Sequence, residues 1–134
     1  MARILDVEGI GPKYAKKLLE VGIRSTSRLL HVAASKRGRE DLADHTGISE
    51  KLILEWVNLA DLMRIQGIAE QYSDLLEEAG VDTIKELRKR VPENLFATML
   101  KVNQDKELVR RLPSQTQVSS WVEQAKKLAA MITY

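Results

Sequence analysis

Apolar residues recur at helical spacing through most of the chain, and the gaps between the runs carry glycine, proline, serine and threonine. Tyr14, Ala15, Leu18 and Leu19 share one face of a helix over 12–21, with Pro12 at its first position and Gly22 where a left-handed cap belongs. Ser25 or Thr26 caps a second helix that turns Leu29, Leu30, Val32 and Ala33 inward and stops near Ser35. Lys36 to Arg39 read as a basic turn before a short helix over 40–45, with Glu40 and Asp41 in its first turn and Gly47 at its end. Ser49 then caps a long helix striped with Leu52, Ile53, Trp56, Val57, Ala60 and Met63. Further on, Thr83 and Glu86 form a capping box, and Pro92 opens a helix holding Leu95, Phe96, Met99 and Leu100. A short helix over 105–112 runs up to Pro113, and a last helix spans about 115–132. The pattern predicts an all-α fold.

The pattern also repeats. Ile65-Gln66-Gly67-Ile68 echoes Val7-Glu8-Gly9-Ile10 at an offset of 58, which also pairs Tyr14 with Tyr72, Leu18 with Leu76 and Gly22 with Gly80. Beyond an insertion of seven residues the offset becomes 65, pairing Ser49 with Ser114, Trp56 with Trp121 and Val57 with Val122. Two units follow, over 1–64 and 65–134, each reading as helix, helix, short helix, long helix with a hairpin before the first and another before the last. A unit of about sixty residues has a marginal core, so the two copies are expected to pack together. The first hairpin has no helix leading into it, and the helix around Trp121 is expected to dock against residues 1–11, in the same chain or a neighbour.

Composition narrows the function. Of the 134 residues 44% are apolar and 30% charged, the balance of a folded, helix-rich protein. With no run of about 18 apolar residues and no signal-peptide core, the expectation is a soluble, cytoplasmic protein with no membrane contact. The absence of cysteine rules out disulfides and thiolate chemistry. His31 and His45 have no triad or ligand partners in the pattern. Glu40 with Asp44, and Glu77 with Glu78 and Asp82, read as solvated carboxylates. The expectation is therefore a protein that is not an enzyme, with no catalytic residues, no metal site and no cofactor. Trp56, Trp121, Tyr14 and Tyr72 lie on apolar stripes and read as core. The net charge is only +2, so placement of charge matters more than its sum.

One placement stands out. Gly9-Ile10-Gly11-Pro12-Lys13 is a glycine hairpin opening a helix, with Lys16 and Lys17 close behind. Unpaired amides at the positive end of a helix, backed by lysine, suit a phosphate.

The string from Gly9 to Leu18 resembles a helix-hairpin-helix motif, and Leu42 to Ser49 resembles the second member of a pair. Two such motifs look like the double helix-hairpin-helix, SAM-like domains of nucleases, polymerases, ligases, Holliday-junction proteins and recombinase N-termini. The whole arrangement is most similar to a prokaryotic family designated a domain of unknown function. The resemblance implies hairpin amides on DNA phosphates, sometimes with a monovalent cation held by hairpin carbonyls. Carried over, it assigns Gly9, Ile10, Gly11 and Lys13 in the first hairpin and Gly47, Ser49 and Lys51 in the second. Arg24, Lys36, Arg37 and Arg39 would extend the positive footprint.

The second copy departs from this pattern. Ala69 replaces Gly11, Glu70 replaces Pro12, Asp74 replaces Lys16, and Leu112-Pro113-Ser114 stands for Gly47-Ile48-Ser49. Two readings remain open from sequence. One is weak, sequence-independent binding of double-stranded DNA by the first unit, in a nucleoid-associated protein. The other is a protein-interaction or scaffold module that uses the helical faces and the acidic second unit, with homo-oligomers as one form of partner.

Overall fold

The computed structural model describes residues 3–7 and 9–134; Met1, Ala2 and Glu8, and the side chain of Glu70, lie outside the described residues. A 3-10 turn at Ile4–Asp6 precedes α1 (Pro12–Glu20), α2 (Thr26–Ala33), α3 (Lys36–Thr46) and α4 (Glu50–Leu62). The chain continues through α5 (Glu70–Glu78), α6 (Ile84–Leu87), α7 (Pro92–Lys106) and α8 (Gln115–Lys127). The fold is all-α, with one isolated backbone bridge between Arg3 and Ser25 among the described residues. The chain divides into two compact units: Met1–Asp61 with Met131–Tyr134, and Leu62–Ala130.

The repeat read in the sequence reappears as repeated hydrogen bonds. Ile10 N–H donates to Val7 O in unit 1, and Ile68 N–H to Ile65 O in unit 2. At the end of α1, Gly22 takes φ +82 and the Ile23 amide reaches back to Leu18 O. Gly80 does the same at φ +95, with the Val81 amide on Leu76 O. Such left-handed caps satisfy carbonyls that the helix leaves open, and glycine adopts them without steric cost. Ser25 accepts the Arg28 amide where Thr83 accepts that of Glu86, and Ser49 accepts from Leu52 where Ser114 accepts from Gln117.

Each unit closes on a tryptophan. In unit 1, Gly9 has φ +90 and lies so close to Trp56 that an added Cβ would stand 3.2 Å from Nε1. In unit 2, Gly67 at φ +98 would place it 3.0 Å from Trp121 Nε1. Tyr14 tilts against Trp56 at 5.1 Å, and Tyr72 against Trp121 at 5.3 Å. Both indoles are buried. Trp121 thus sits on the turn of its own unit, where the sequence reading had docked its helix against residues 1–11. The first turn receives its covering helix from α4.

Four local expectations are corrected. The basic stretch from Lys36 to Arg39 is the first turn of α3, because Ser35 caps it by accepting the Gly38 amide at 3.0 Å. Glu40 and Asp41 therefore lie beyond the first turn. The helix expected over 105–112 is absent, since α7 runs on to Lys106 and ends at Glu107 with φ 49. Asn103 holds the chain beyond it with a pair of side-chain bonds to the Val109 backbone. Finally, α8 stops at Lys127, and Leu128 is extended.

Unit 2 has a continuous core in which Leu75, Leu76, Leu87, Met99, Val118 and Trp121 are buried together. α7, at 15 residues against 11 in α3, takes up part of the insertion seen in the sequence, and the longer connection over 107–114 takes up more. The acidic end of α5 is partly compensated by Lys106, which pairs with Glu78. The hydrogen bond from Glu78 and its charge, with Asp74 and Asp105 nearby, hold the Lys106 ammonium above its usual range against some desolvation.

The seating of indole on glycine predicts that Gly9→Ala and Gly67→Ala each cost about 1–3 kcal/mol, through the forced left-handed residue and the displaced ring. Urea unfolding followed by circular dichroism measures this. A midpoint equal to that of the native chain would show that the indole does not fix the turn.

Candidate functional site

The start of α1 is built by what Gly11 and Pro12 lack. Gly11 is the N-cap, extended at φ −85 and ψ −178, and has no side chain to accept an amide. Pro12 follows at the first helical position and brings no N–H. The first amide to enter the helix ladder is that of Ala15, which donates to Gly11 O at 2.9 Å. The Lys13 and Tyr14 amides precede it, at the positive end of the helix, where no side-chain cap meets them. Lys13 and Lys16 are exposed and Lys17 is half-buried. No acid stands in this first turn. The other three helices of unit 1 each start on a serine hydroxyl that takes an amide: Ser25, Ser35 and Ser49.

Other sequence-assigned donors are used inside the chain. The Ile10 amide is held by Val7 O at 3.1 Å, and the Ile10 side chain is buried. Gly47 caps α3 at φ +75, and its amide is held by Ala43 O at 2.8 Å. Ile48 donates to Thr46 Oγ1, and Ser49 Oγ accepts from Leu52. The Ile10 and Gly47 amides and the Ser49 hydroxyl are thus engaged in their own turns, and Lys51 is exposed at the second hairpin.

The basic extension separates into two kinds. Arg24, Lys36 and Arg37 are exposed. Arg39 is 4% exposed and does not belong to the outer surface. Its Nη1 donates to Ala33 O at 3.1 Å and Ala34 O at 2.9 Å, while Nη2 donates to Thr133 O at 2.6 Å. No local pattern marks this burial, because the acceptors are backbone carbonyls and one of them lies 94 positions away. Lys36, Arg39, Glu50, Lys51, Leu54 and Tyr134 line an open cleft of about 320 Å³.

The matching place in unit 2 has the same backbone and different chemistry. Ala69 caps α5 without a side-chain bond, as Gly11 caps α1. Gly67, Ala69, Gln71, Tyr72 and Arg111 line a cleft of about 320 Å³, and Tyr72 donates its hydroxyl to Arg111 O at 2.9 Å. Glutamine follows where α1 has Lys13, and Asp74 where it has Lys16. Among the described residues no three histidine or carboxylate groups gather as a metal would require, and no helix is long and apolar enough to cross a membrane.

Two similar helical units, each closed by a tryptophan over its leading turn, define an all-α tandem-repeat protein. The chain belongs to the family described as domain of unknown function (DUF4332), whose profile matches residues 8–128. No curated protein and no solved structure is matched.

A side chain that caps α1 should stabilise it. Gly11 has open space around its missing Cβ, so Gly11→Asp is expected to add about 0.5 kcal/mol by accepting the Tyr14 amide and opposing the helix dipole. Urea titration reads the change. A lowered midpoint would mean that those amides already have partners.

Proposed function

We propose that unit 1 binds the sugar–phosphate backbone of duplex DNA without reading sequence, using the turn before α1 as a helix-hairpin-helix element. The observation that supports this reading is the start of α1, where two amides without a side-chain cap, in a first turn that holds no acid, are flanked by exposed lysines. A phosphate there would accept charge-assisted hydrogen bonds from the amides and sit against the positive end of the helix. Lys13, Lys16 and Lys17 would supply the field, and Lys51 a further contact. Contacts of this kind position a protein on DNA and carry no sequence information. The role is one of binding, not catalysis, in a cytoplasmic protein associated with the nucleoid.

The acidic surroundings of α5 favour a second role for unit 2. Glu78, which bonds Lys106, raises its pKa, and Asp74 and Asp105 add to this, so carboxylates gather at this end of α5. Their field repels phosphate and suits a basic protein surface, so unit 2 is proposed as the scaffold side of the molecule.

About three phosphate contacts correspond to a Kd of roughly 10⁻⁴ to 10⁻⁶ M and a log–log salt slope near −3. Fluorescence anisotropy with labelled duplexes of unrelated sequence should give equal affinities that weaken with salt. Lys13→Glu with Lys17→Glu should reduce binding at least tenfold, and Gly11→Asp should weaken it while stabilising the fold. No binding at low salt, or binding unaltered in the double variant, would overturn the proposal.

A further inference from the structure

The segment from Met131 to Tyr134 belongs to unit 1 although it follows α8 in sequence. Its Thr133 amide donates to Ala34 O at 2.9 Å, and its Thr133 carbonyl accepts from Arg39 Nη2. The Tyr134 ring lies 5.8 Å from the Arg39 guanidinium carbon, and its hydroxyl is 3.5 Å from Asn58 Oδ1. The segment nevertheless lies at the surface. Thr133 is exposed and Tyr134 is 66% exposed, while the arginine beneath is 4% exposed. Such exposure marks a segment that opens at lower free-energy cost than the core.

Arg39 is flanked by two exposed lysines, Lys36 and Lys51, which line the same cleft. We infer that residues 131–134 form a releasable strap over a cationic site made by Lys36, Arg39 and Lys51, and that releasing the strap adds one phosphate contact to unit 1. The Thr133 carbonyl stands where a phosphate oxygen would be received by Nη2. A phosphate oxygen brings a negative charge to the guanidinium that a carbonyl lacks, and two lysines at the rim favour it further. Glu50 on the same rim opposes the anion, which limits the gain to one contact. Arg39 keeps its bonds to Ala33 and Ala34 when the strap leaves, so the guanidinium stays aimed at the cleft.

This inference rests on the DNA-binding reading of unit 1, and the experiment separates the two. The full chain is compared with Thr133→Pro/Tyr134→Ala, which removes the amide donor and the ring, and with a chain ending at Ala130 in case the substituted form folds poorly. Anisotropy with a labelled duplex across a salt series is expected to show the loosened forms binding about three- to tenfold tighter at low salt. Their log–log slope should steepen by about one. Phenylglyoxal followed by peptide mass spectrometry should find Arg39 protected in the full chain and modified in the loosened forms. If the full chain binds and the loosened forms keep its slope, or if Arg39 is already modified in the full chain, the strap inference is overturned and the reading of unit 1 stands. If no form binds at low salt, the reading itself fails and the inference falls with it.

Discussion

The geometry of each unit depends on one contact, an indole resting on a glycine. Trp56 comes from the last helix of unit 1 and Gly9 from its leading turn, so the contact joins the two ends of the unit. A Cβ on that glycine would press on the ring, and a left-handed backbone at the same residue turns the chain toward α1. Tyr14, one turn into α1, packs on the same indole. The direction in which α1 starts, and so the direction of its open amides, follows from how the ring is seated. Unit 2 repeats the device with Trp121, Gly67 and Tyr72. A shared packing solution therefore presents two helix starts of the same shape.

What differs between those starts is side-chain chemistry laid over equal backbones. Neither Gly11 nor Ala69 caps its helix with a side chain, and both leave early amides open. A serine in either place would satisfy one amide, as serine does at α2, α3, α4 and α8. Three lysines follow in α1, whereas Asp74, Glu77 and Glu78 follow in α5. Duplication of the packing with divergence of the charge is the arrangement expected when one copy meets an anion and the other does not.

Much of the fold was legible in the sequence because helix periodicity, caps and repeat are local signals. Gly22 and Gly80, Ser25 and Thr83, Trp56 and Trp121 could each be paired by spacing alone. The start of α3 was misread because four residues rich in charge resemble a loop, and the decisive signal was a single hydroxyl, that of Ser35. The end of α7 was misplaced because nothing nearby in sequence marks Glu107 as left-handed; the turn beyond it is fixed by the Asn103 amide. For the candidate site, Lys13 and Lys16 were readable as exposed because they fall opposite Ala15 and Leu18 on the helix. Arg39 was not, since its acceptors are backbone carbonyls, one of them 94 positions away.

Net charge would have hidden all of this. Unit 1 holds ten Lys and Arg against nine Asp and Glu, and unit 2 holds eleven against ten, so each carries +1. Summed over either unit, the field at a distance is close to neutral. Screening at physiological salt cuts exposed interactions beyond about 8 Å, so a bound phosphate responds only to the groups around it. Among the described residues those are, at the start of α1, two amides and a run of lysines; along α5 they are carboxylates with Lys106 as a partner. Two units of equal charge can therefore favour opposite partners, and the assignment has to be made one helix end at a time.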